Sequence, residues 1–416
     1  MARHALFSTL LLLLVAAGLP AWAESPYNPQ PEDLQWQAVE AGIEYTTWSF
    51  AGVKNRKAKE GDPTWQVAPA FAHLLRVDLN DTGLSFRSLR PLGHSERLEK
   101  IVEIFRTGGV DVRAALNGDY FSFAQAEKNP LGLHVSGGQL LWFPANTTSI
   151  TVDANNHIAI DRYTVNQTVS GDGLKVQISG ANRKANKQES VLYSGYYLQK
   201  TIPQGSCTGL LLQRETLGPM LNSDIEVKVA KVFPSRAAQP LKPLELALVV
   251  CGDARPAAKV LPEGTELTIK TTVPGFAGVM LEAISGGPRV LRDGQIVKEM
   301  SQEGFTLPLR LYIPQPHPRA AVGISSDGKT LYLLAGEGRV KRSSGLSADD
   351  AANLFKATGA SDAMLFDGGG SVALIGPDGF YNKPHQGKNH SARSMANAIA
   401  IVRSKKSGGK APPKVK

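Results

Sequence analysis

Between residues 132 and 333 the chain is cut repeatedly by glycine, proline, asparagine and aspartate into short apolar or alternating runs. Ser149–Val152, Leu174–Ile178, Ile225–Phe233, Leu244–Cys251 and Glu266–Thr272 have the length and side-chain character of strands, and the residues between them are turn formers. Helical period is confined to two places. Around Glu96–Arg106, Leu98, Ile101, Val102 and Phe105 share one face, with Ser95 as N-cap and Gly108-Gly109 as the stop. Around Ala348–Ala357, Ala351, Leu354 and Phe355 do the same, with Ser347 as cap and Gly359 beyond. The expected fold class is α+β: a single domain over 34–403, rich in mixed and antiparallel sheet, with a few helices.

The ends read differently. Arg3 and His4, the apolar run Ala5–Leu19, Pro20 and Ala21-Trp22-Ala23 are the parts of a signal peptide, so cleavage is expected near Ala23. The run is short of the ~20 residues that cross a bilayer, and no later stretch is long and apolar enough to span. Export to a periplasmic or secreted location follows as an expectation. A Pro-rich leader (24–33) comes next, and a basic tail with Ser, Gly and Pro closes the chain (404–416), expected to be disordered. These ends explain the formal charge of +9. Arg3 and six basic residues from Arg403 to Lys416 account for seven charges, leaving +2 for residues 24–402. That argues against nucleic acid as a partner; the tail alone could touch an anionic surface. Cys207 and Cys251 could pair in an oxidising compartment. Neither has a neighbour that would activate a catalytic thiol, and no His or Cys cluster marks a metal; a Ca²⁺ site stays open. The sequons at Asn146 and Asn166 matter only in a host that glycosylates them.

One pattern occurs twice. Phe105 ends a helix, Gly109 follows, and the strand Val112–Leu116 runs into Asn117-Gly118-Asp119; Phe355, Gly359, Ala363–Phe366 and Asp367-Gly368-Gly369-Gly370-Ser371 repeat the order at the same spacing. The repeat suggests two polar strand ends facing one cleft. Three glycines between apolar runs fit a backbone that must approach something closely, and amides freed of side chains can point at an anion, with Ser371 adding a hydroxyl. Asp367 would be a carboxylate with a tunable pKa. Asp119 offers a second carboxylate, the pair that glycosidic cleavage uses. The plainer alternative for both segments is a tight turn. Arg319 and Arg393 each precede an apolar strand and could grip a phosphate. Glu282 is a further carboxylate beside the turn Gly286-Gly287-Pro288, and His134 reads as structural.

In order along the chain, NGDYF at Asn117, Ser179-Gly180-Ala181-Asn182-Arg183 with Val191-Leu192-Tyr193, Ala283-Ile284-Ser285-Gly286-Gly287-Pro288, Arg319-Ala-Ala-Val-Gly323, DGGGS at Asp367 and Arg393…Asn397 resemble the phosphodiester glycosidase family. The resemblance covers roughly residues 70–403. Members often carry Asn-Gly-Gly-Phe-Phe where this chain has Asn117–Phe121, so the case for Asp119 rests on paired-carboxylate chemistry alone. The resemblance implies hydrolysis of a sugar-1-phosphodiester, N-acetylglucosamine-1-phosphodiester among the candidates, in a phosphodiester-linked glycan and without a cofactor. It implies Asn117, Gly118, Arg319, Gly368, Gly369, Gly370, Ser371 and Arg393 for binding and Asp367 for catalysis, with Asp119 and Glu282 as the other carboxylates. Two rivals are a non-catalytic glycan-binding protein of envelope or exopolysaccharide assembly, and a metal-dependent phosphodiesterase, which would need clustered ligands.

Overall fold

The computed structural model describes residues 25–404 apart from 26, 53–67, 81–82, 92–94, 123–128, 144–146, 197–205, 234–240, 306–308, 383 and 385–392. The expected signal peptide, the tail from Lys405 and the sequon at Asn146 lie outside the described residues. Among the described residues strand takes 46% and helix 12%, so the protein is mostly β with few, short helices. No helix among them is long and apolar enough to cross a membrane.

Two sheets pack face to face and carry the site between them. The larger has eight strands and includes Ala70–Asp78, Thr330–Glu337, Arg319–Ile324 and Asp362–Leu365 side by side; the smaller has five and includes Leu374–Gly376, Val112–Asn117, Ala398–Arg403 and Leu84–Leu89. Alternation along each strand sorts the side chains. Leu75, Val77, Val322, Leu333 and Met364 from the larger sheet meet Ala114, Leu116, Leu374, Ile399 and Ile401 from the smaller in one buried cluster. The residues between them point outward and are covered by the two helices. Leu98, Ile101 and Val102 of helix Leu98–Thr107 pack on Ala115, Ala398 and Ala400. Ala351, Leu354 and Phe355 of helix Ala348–Thr358 pack on Leu74, Ala321 and Leu334. The layers therefore run helix, sheet, sheet, helix.

A closed seven-strand barrel is inserted between Ile158–Arg162 and Met280–Ser285. It runs from Asn166–Gly171 round to Glu266–Thr272, which pairs back on the first strand. Closure leaves no edge exposed. A second five-stranded sheet, containing His134–Ser136, Thr148–Asp153 and Met280–Ser285, joins the barrel to the layered body. The barrel's interior cluster runs on into Leu133, Val135, Met280 and Ala283 of that sheet. Cys207 and Cys251 are joined in a disulfide just outside two paired barrel strands, Thr208–Arg214 and Glu245–Val250.

Three local expectations change. Ser95 does not cap the first helix, which begins at Leu98 with Arg97 as N-cap. Glu96 instead pairs with Met395, exchanging backbone hydrogen bonds of 3.2 and 2.8 Å, and this distant pairing displaces the helix start. The Pro-rich leader is built into the core at Tyr27, which is buried against Trp48 and Phe50. Arg403, counted with the basic end in the charge argument, is part of the last strand, and its Nε donates to Glu40 at 3.0 Å.

Candidate active site

The segment Asp367–Ser371 carries the chain from the eight-stranded sheet, which it leaves at Leu365, to the five-stranded sheet, which it enters at Leu374. It turns at the seam where the other strand end arrives. The two repeats of the sequence pattern meet here. Asn117 Nδ2 donates to the Asp367 carbonyl at 2.7 Å, across a separation of 250 residues, and the Asp367 amide donates to the Gly118 carbonyl at 3.0 Å.

The meeting has a different consequence for each half. Asn117 is fully buried and its side chain is used on both sides, since its Oδ1 accepts from the Ala373 amide at 3.1 Å. It is a joint that holds the glycine turn to the strand, and both its amide groups are engaged within the fold instead of being turned to a ligand. Gly118 has no room for a side chain: a Cβ there would stand 2.5 Å from both Asn397 Oδ1 and Ile284 Cδ1. Asp119 is buried. Its amide donates to Asn397 Oδ1 at 2.8 Å and its Oδ2 accepts from the Gly132 amide at 2.7 Å. Burial, reinforced by the charge of Asp367, raises its carboxyl to about 7, against the pull of the backbone amides.

Asp367 is half-buried, more open than Asp119. Desolvation raises its carboxyl to about 6, while the Ser371 hydroxyl and the guanidinium groups of Arg393 and Arg319 pull the other way. Ser371 Oγ is buried with no partner at ordinary hydrogen-bond distance, although it is near enough to act on that carboxyl.

Guanidinium groups line the glycine turn. That of Arg393 lies over Gly370, where a Cβ would come within 3.0 Å of it, and the Arg393 amide donates to the Gly370 carbonyl at 3.2 Å. That of Arg339 lies over Gly369, 3.4 Å from the same imagined atom. Arg319 is buried and mainly structural. Its Nε donates to the Leu346 carbonyl at 3.0 Å and its Nη2 to the carbonyls of Tyr312, Ile313 and Gln315. Only Nη1 is turned toward Gly368. Desolvation pushes this guanidinium down to about 10, so it remains a cation at neutral pH. The glycine amides form less of an anion cradle than the sequence suggests. That of Gly369 donates to the Pro318 carbonyl at 2.9 Å, and that of Gly368 serves the Asp367 carboxyl.

Glu282 stands apart from this cluster. Its Oε1 accepts from Arg87 Nη1 at 2.8 Å and the Gly137 amide at 3.1 Å; its Oε2 accepts from the Ser88 amide at 3.0 Å and the Ser88 hydroxyl at 2.7 Å. Four donors on a buried carboxylate are a structural arrangement. His134 is fully buried against Asn397, and burial together with Arg90 holds its imidazole well below the ordinary range. The Asn182–Arg183 motif builds the barrel wall, where Arg183 pairs with Glu189 at 2.7 Å. Two residues escaped the sequence reading. Asn397, which ties Asp119 to His134, was visible only as part of a motif. Arg339 sits in Gly338-Arg339-Val340-Lys341-Arg342, whose concentration of cations was the available signal.

Among the described residues no three His, Cys, Asp or Glu side chains gather as a metal site. The fold is shared with solved structures. A hypothetical protein from Synechocystis superposes with a TM-score of 0.67 at 18% identity, covering 89% of this chain and 64% of that one. A candidate exported protein from Burkholderia pseudomallei K96243 gives 0.63 at 18% identity, over 81% of this chain and 75% of that one. The catalytic domain of zebrafish N-acetylglucosamine-1-phosphodiester alpha-N-acetylglucosaminidase, auto-inhibited by its pro-peptide, gives 0.47 at 12%, over 90% and 87%, too low to add to the fold assignment. In sequence, a 55-residue segment is 51% identical to the SPbeta prophage-derived uncharacterized protein YomE of Bacillus subtilis (strain 168); it spans 13% of this chain and 8% of that protein. Residues 249–402 match the phosphodiester glycosidase family, so the resemblance read from the sequence is borne out over the part of the chain that supplies Arg319, Arg339, Asp367, the glycine turn and Arg393.

Proposed function

We propose that the protein is an exported hydrolase that cleaves the glycosidic C–O bond of a sugar-1-phosphodiester. The observation that carries this reading is the half-buried Asp367, its carboxyl raised to about 6, at the head of a glycine turn overlain by Arg339 and Arg393. The family match over 249–402 supports the same chemistry. The two guanidinium groups hold the phosphodiester, whose non-bridging oxygens match their planar forks. A phosphomonoester leaves readily, so the site has little need of a strong general acid; its task is electrostatic. As the bond from C1 to oxygen breaks, positive charge grows on the sugar ring, and Asp367 as carboxylate stabilises it or aligns the attacking water. Water supplies the new hydroxyl on C1, and its other proton ends on the phosphomonoester. Asp119 acts through Asp367 and the backbone, because its carboxyl is engaged with the Gly132 amide. Export is supported by the Cys207–Cys251 disulfide, since disulfides persist in oxidising compartments.

The test incubates the protein from Glu24 onward with N-acetylglucosamine-1-phosphodiesters and related sugars, comparing wild type with Asp367→Asn. Free sugar plus phosphomonoester from the wild type, lost in a folded variant, is the expected result. Sugar-1-phosphate as product, abolished by a chelator, would instead mean P–O cleavage by a metal-dependent phosphodiesterase. Saturable phosphoglycan binding without turnover, unchanged in Asp367→Asn, would mean a binding protein.

A further inference from the structure

Beside the glycine turn opens a recess of about 350 Å³. Gly369 and Val372 form its wall toward the site, and Gly338, Lys341 and Arg342 its far wall; Asp367 is not in its lining. The far wall is a tight hairpin in which Val340 and Ser343 exchange backbone hydrogen bonds of 3.1 and 3.2 Å, with Lys341 and Arg342 at the tip. The hairpin is anchored. Ser343 is buried, its Oγ accepting from the Phe71 amide at 3.1 Å and donating to the Glu337 carbonyl, and the Arg342 guanidinium rests 4.1 Å above the Phe71 ring.

The charged residues of this wall are Glu337, Lys341 and Arg342. Arg342 is paired with Glu337, which leaves Lys341 uncompensated, and Arg339 adds a second cation beside it in the chain. Arg339, Lys341 and Arg342 are all exposed, and the single nearby carboxylate in the segment is Glu337. That carboxylate is already taken by His73 at 3.1 Å and by Arg342, and these partners hold it down at about 2. Lys341 and Arg339 form no ion pair among the described residues. Arg339 is also held at φ 61°, a left-handed conformation unusual for a side-chain-bearing residue. Its guanidinium stands over Gly369, a residue of the turn that also lines the recess. Uncompensated cations in a concave wall concentrate anions there.

Resting on the reading above, we infer that this recess receives the group on the far side of the phosphate and selects one bearing a second negative charge. A phosphodiester seated on the glycine turn has two substituents. The sugar must bring C1 to Asp367, which leaves the other to pass over Gly369 toward Lys341 and Arg342. The substrate is therefore polyanionic: the second charge is a further phosphate, as in a chain of repeating sugar phosphates, or a carboxylate, as on an acidic sugar.

The experiment compares kcat/KM for three N-acetylglucosamine-1-phosphodiesters that share the sugar and differ in the alcohol: propanol, propanediol monophosphate and 4-hydroxybutyrate. The wild type should prefer a charged alcohol by about 10-fold at low ionic strength, and the preference should shrink as salt is added. Lys341→Gln should cut it by about 3-fold and Lys341→Glu should remove or invert it. Preference for the phosphate over the carboxylate, or the reverse, identifies which anion the recess takes. Equal hydrolysis of all three substrates would overturn the inference and leave the proposed reaction standing. A preference that survives both Lys341→Glu and Arg339→Asn would place the second anion elsewhere and also overturn it. Hydrolysis of none of them, with no binding detected by calorimetry, would overturn both readings together.

Discussion

The same local pattern reaches the site twice, and the two copies are put to opposite uses. At the first strand end, Asn117 bridges Ala373 and Asp367, Gly118 packs under Asn397, and Asp119 is closed off against Gly132. Both ends of the Asn117 side-chain amide, the Asp119 amide and Asp119 Oδ2 have internal partners. At the second, Asp367 stays half-buried, the Ser371 hydroxyl lacks one, and two guanidinium groups overlie the glycines. A polar residue at a strand end is therefore no sign of a site by itself. What separates the two ends is whether the donors and acceptors are already satisfied. The first end is the anvil that fixes the turn, and the second is the end that the proposed reaction uses.

The largest effect that could break this contrast is on turnover. Asp367→Asn should lower kcat/KM by about 10³-fold, within the range for removing a group that acts on the transition state. Asp119→Asn should lower it by about 10-fold or less, because that carboxyl acts at one remove. Steady-state kinetics on one sugar-1-phosphodiester decides it. Equal losses in the two variants would mean that the closed-off carboxyl is as much part of the chemistry as the open one.

Stability should show the reverse ranking. Asn117→Ala strips partners from the buried Ala373 amide and the Asp367 carbonyl, at a cost of about 2–4 kcal/mol. It should lower Tm and, by freeing the glycine turn, kcat/KM as well. Gly118→Ala forces a Cβ into contact at 2.5 Å with Asn397 and Ile284 and should cost about 1–3 kcal/mol through overpacking. Asp367→Asn should cost nothing in Tm at neutral pH, since it removes a charge that burial disfavours. Thermal denaturation followed by circular dichroism separates these cases. A destabilised Asp367→Asn alongside an unperturbed Asn117→Ala would invert the roles assigned to the two ends.

Much of this was legible along the chain where the cause is local. Helix Ala348–Thr358 begins where Ser347 says it should, because Ser347 and Asp350 cap each other's backbone at 3.2 and 2.7 Å within four residues. The short strands and the repeat at 117 and 367 were legible for the same reason. The barrel was not: its closure depends on Asn166–Gly171 finding Thr272, about a hundred residues on, and no local period encodes that pairing. The roles of Arg319 and Glu282 were not legible either. Each is the right residue type beside the right motif, but the carbonyls of 312–315 and the donors of Ser88 and Gly137 are brought to them only by the fold. The residue types that bind phosphate are also those that satisfy buried backbone.

The finest discrimination comes from pH. Burial raises Asp367 to about 6 and Asp119 to about 7, and the charge of Asp367 adds to the rise at Asp119, so the two carboxyls titrate as a coupled pair. Catalysis by the Asp367 carboxylate should therefore show an acidic limb in kcat/KM near pH 6, well above the usual aspartate range. Arg393 lowers that pKa, so Arg393→Gln should move the limb to higher pH. Asp119→Asn should uncouple the pair and leave a single inflection. Stability follows the same protons. Both carboxyls hold protons in the folded state that the unfolded chain releases near pH 4, so unfolding free energy should fall as pH rises from about 4 to 7. That decline should be smaller in either Asn variant. A limb near pH 4 that Arg393→Gln does not move would show that Asp367 titrates as freely as a surface carboxylate, and the distinction between the closed and the open strand end would lose its electrostatic basis.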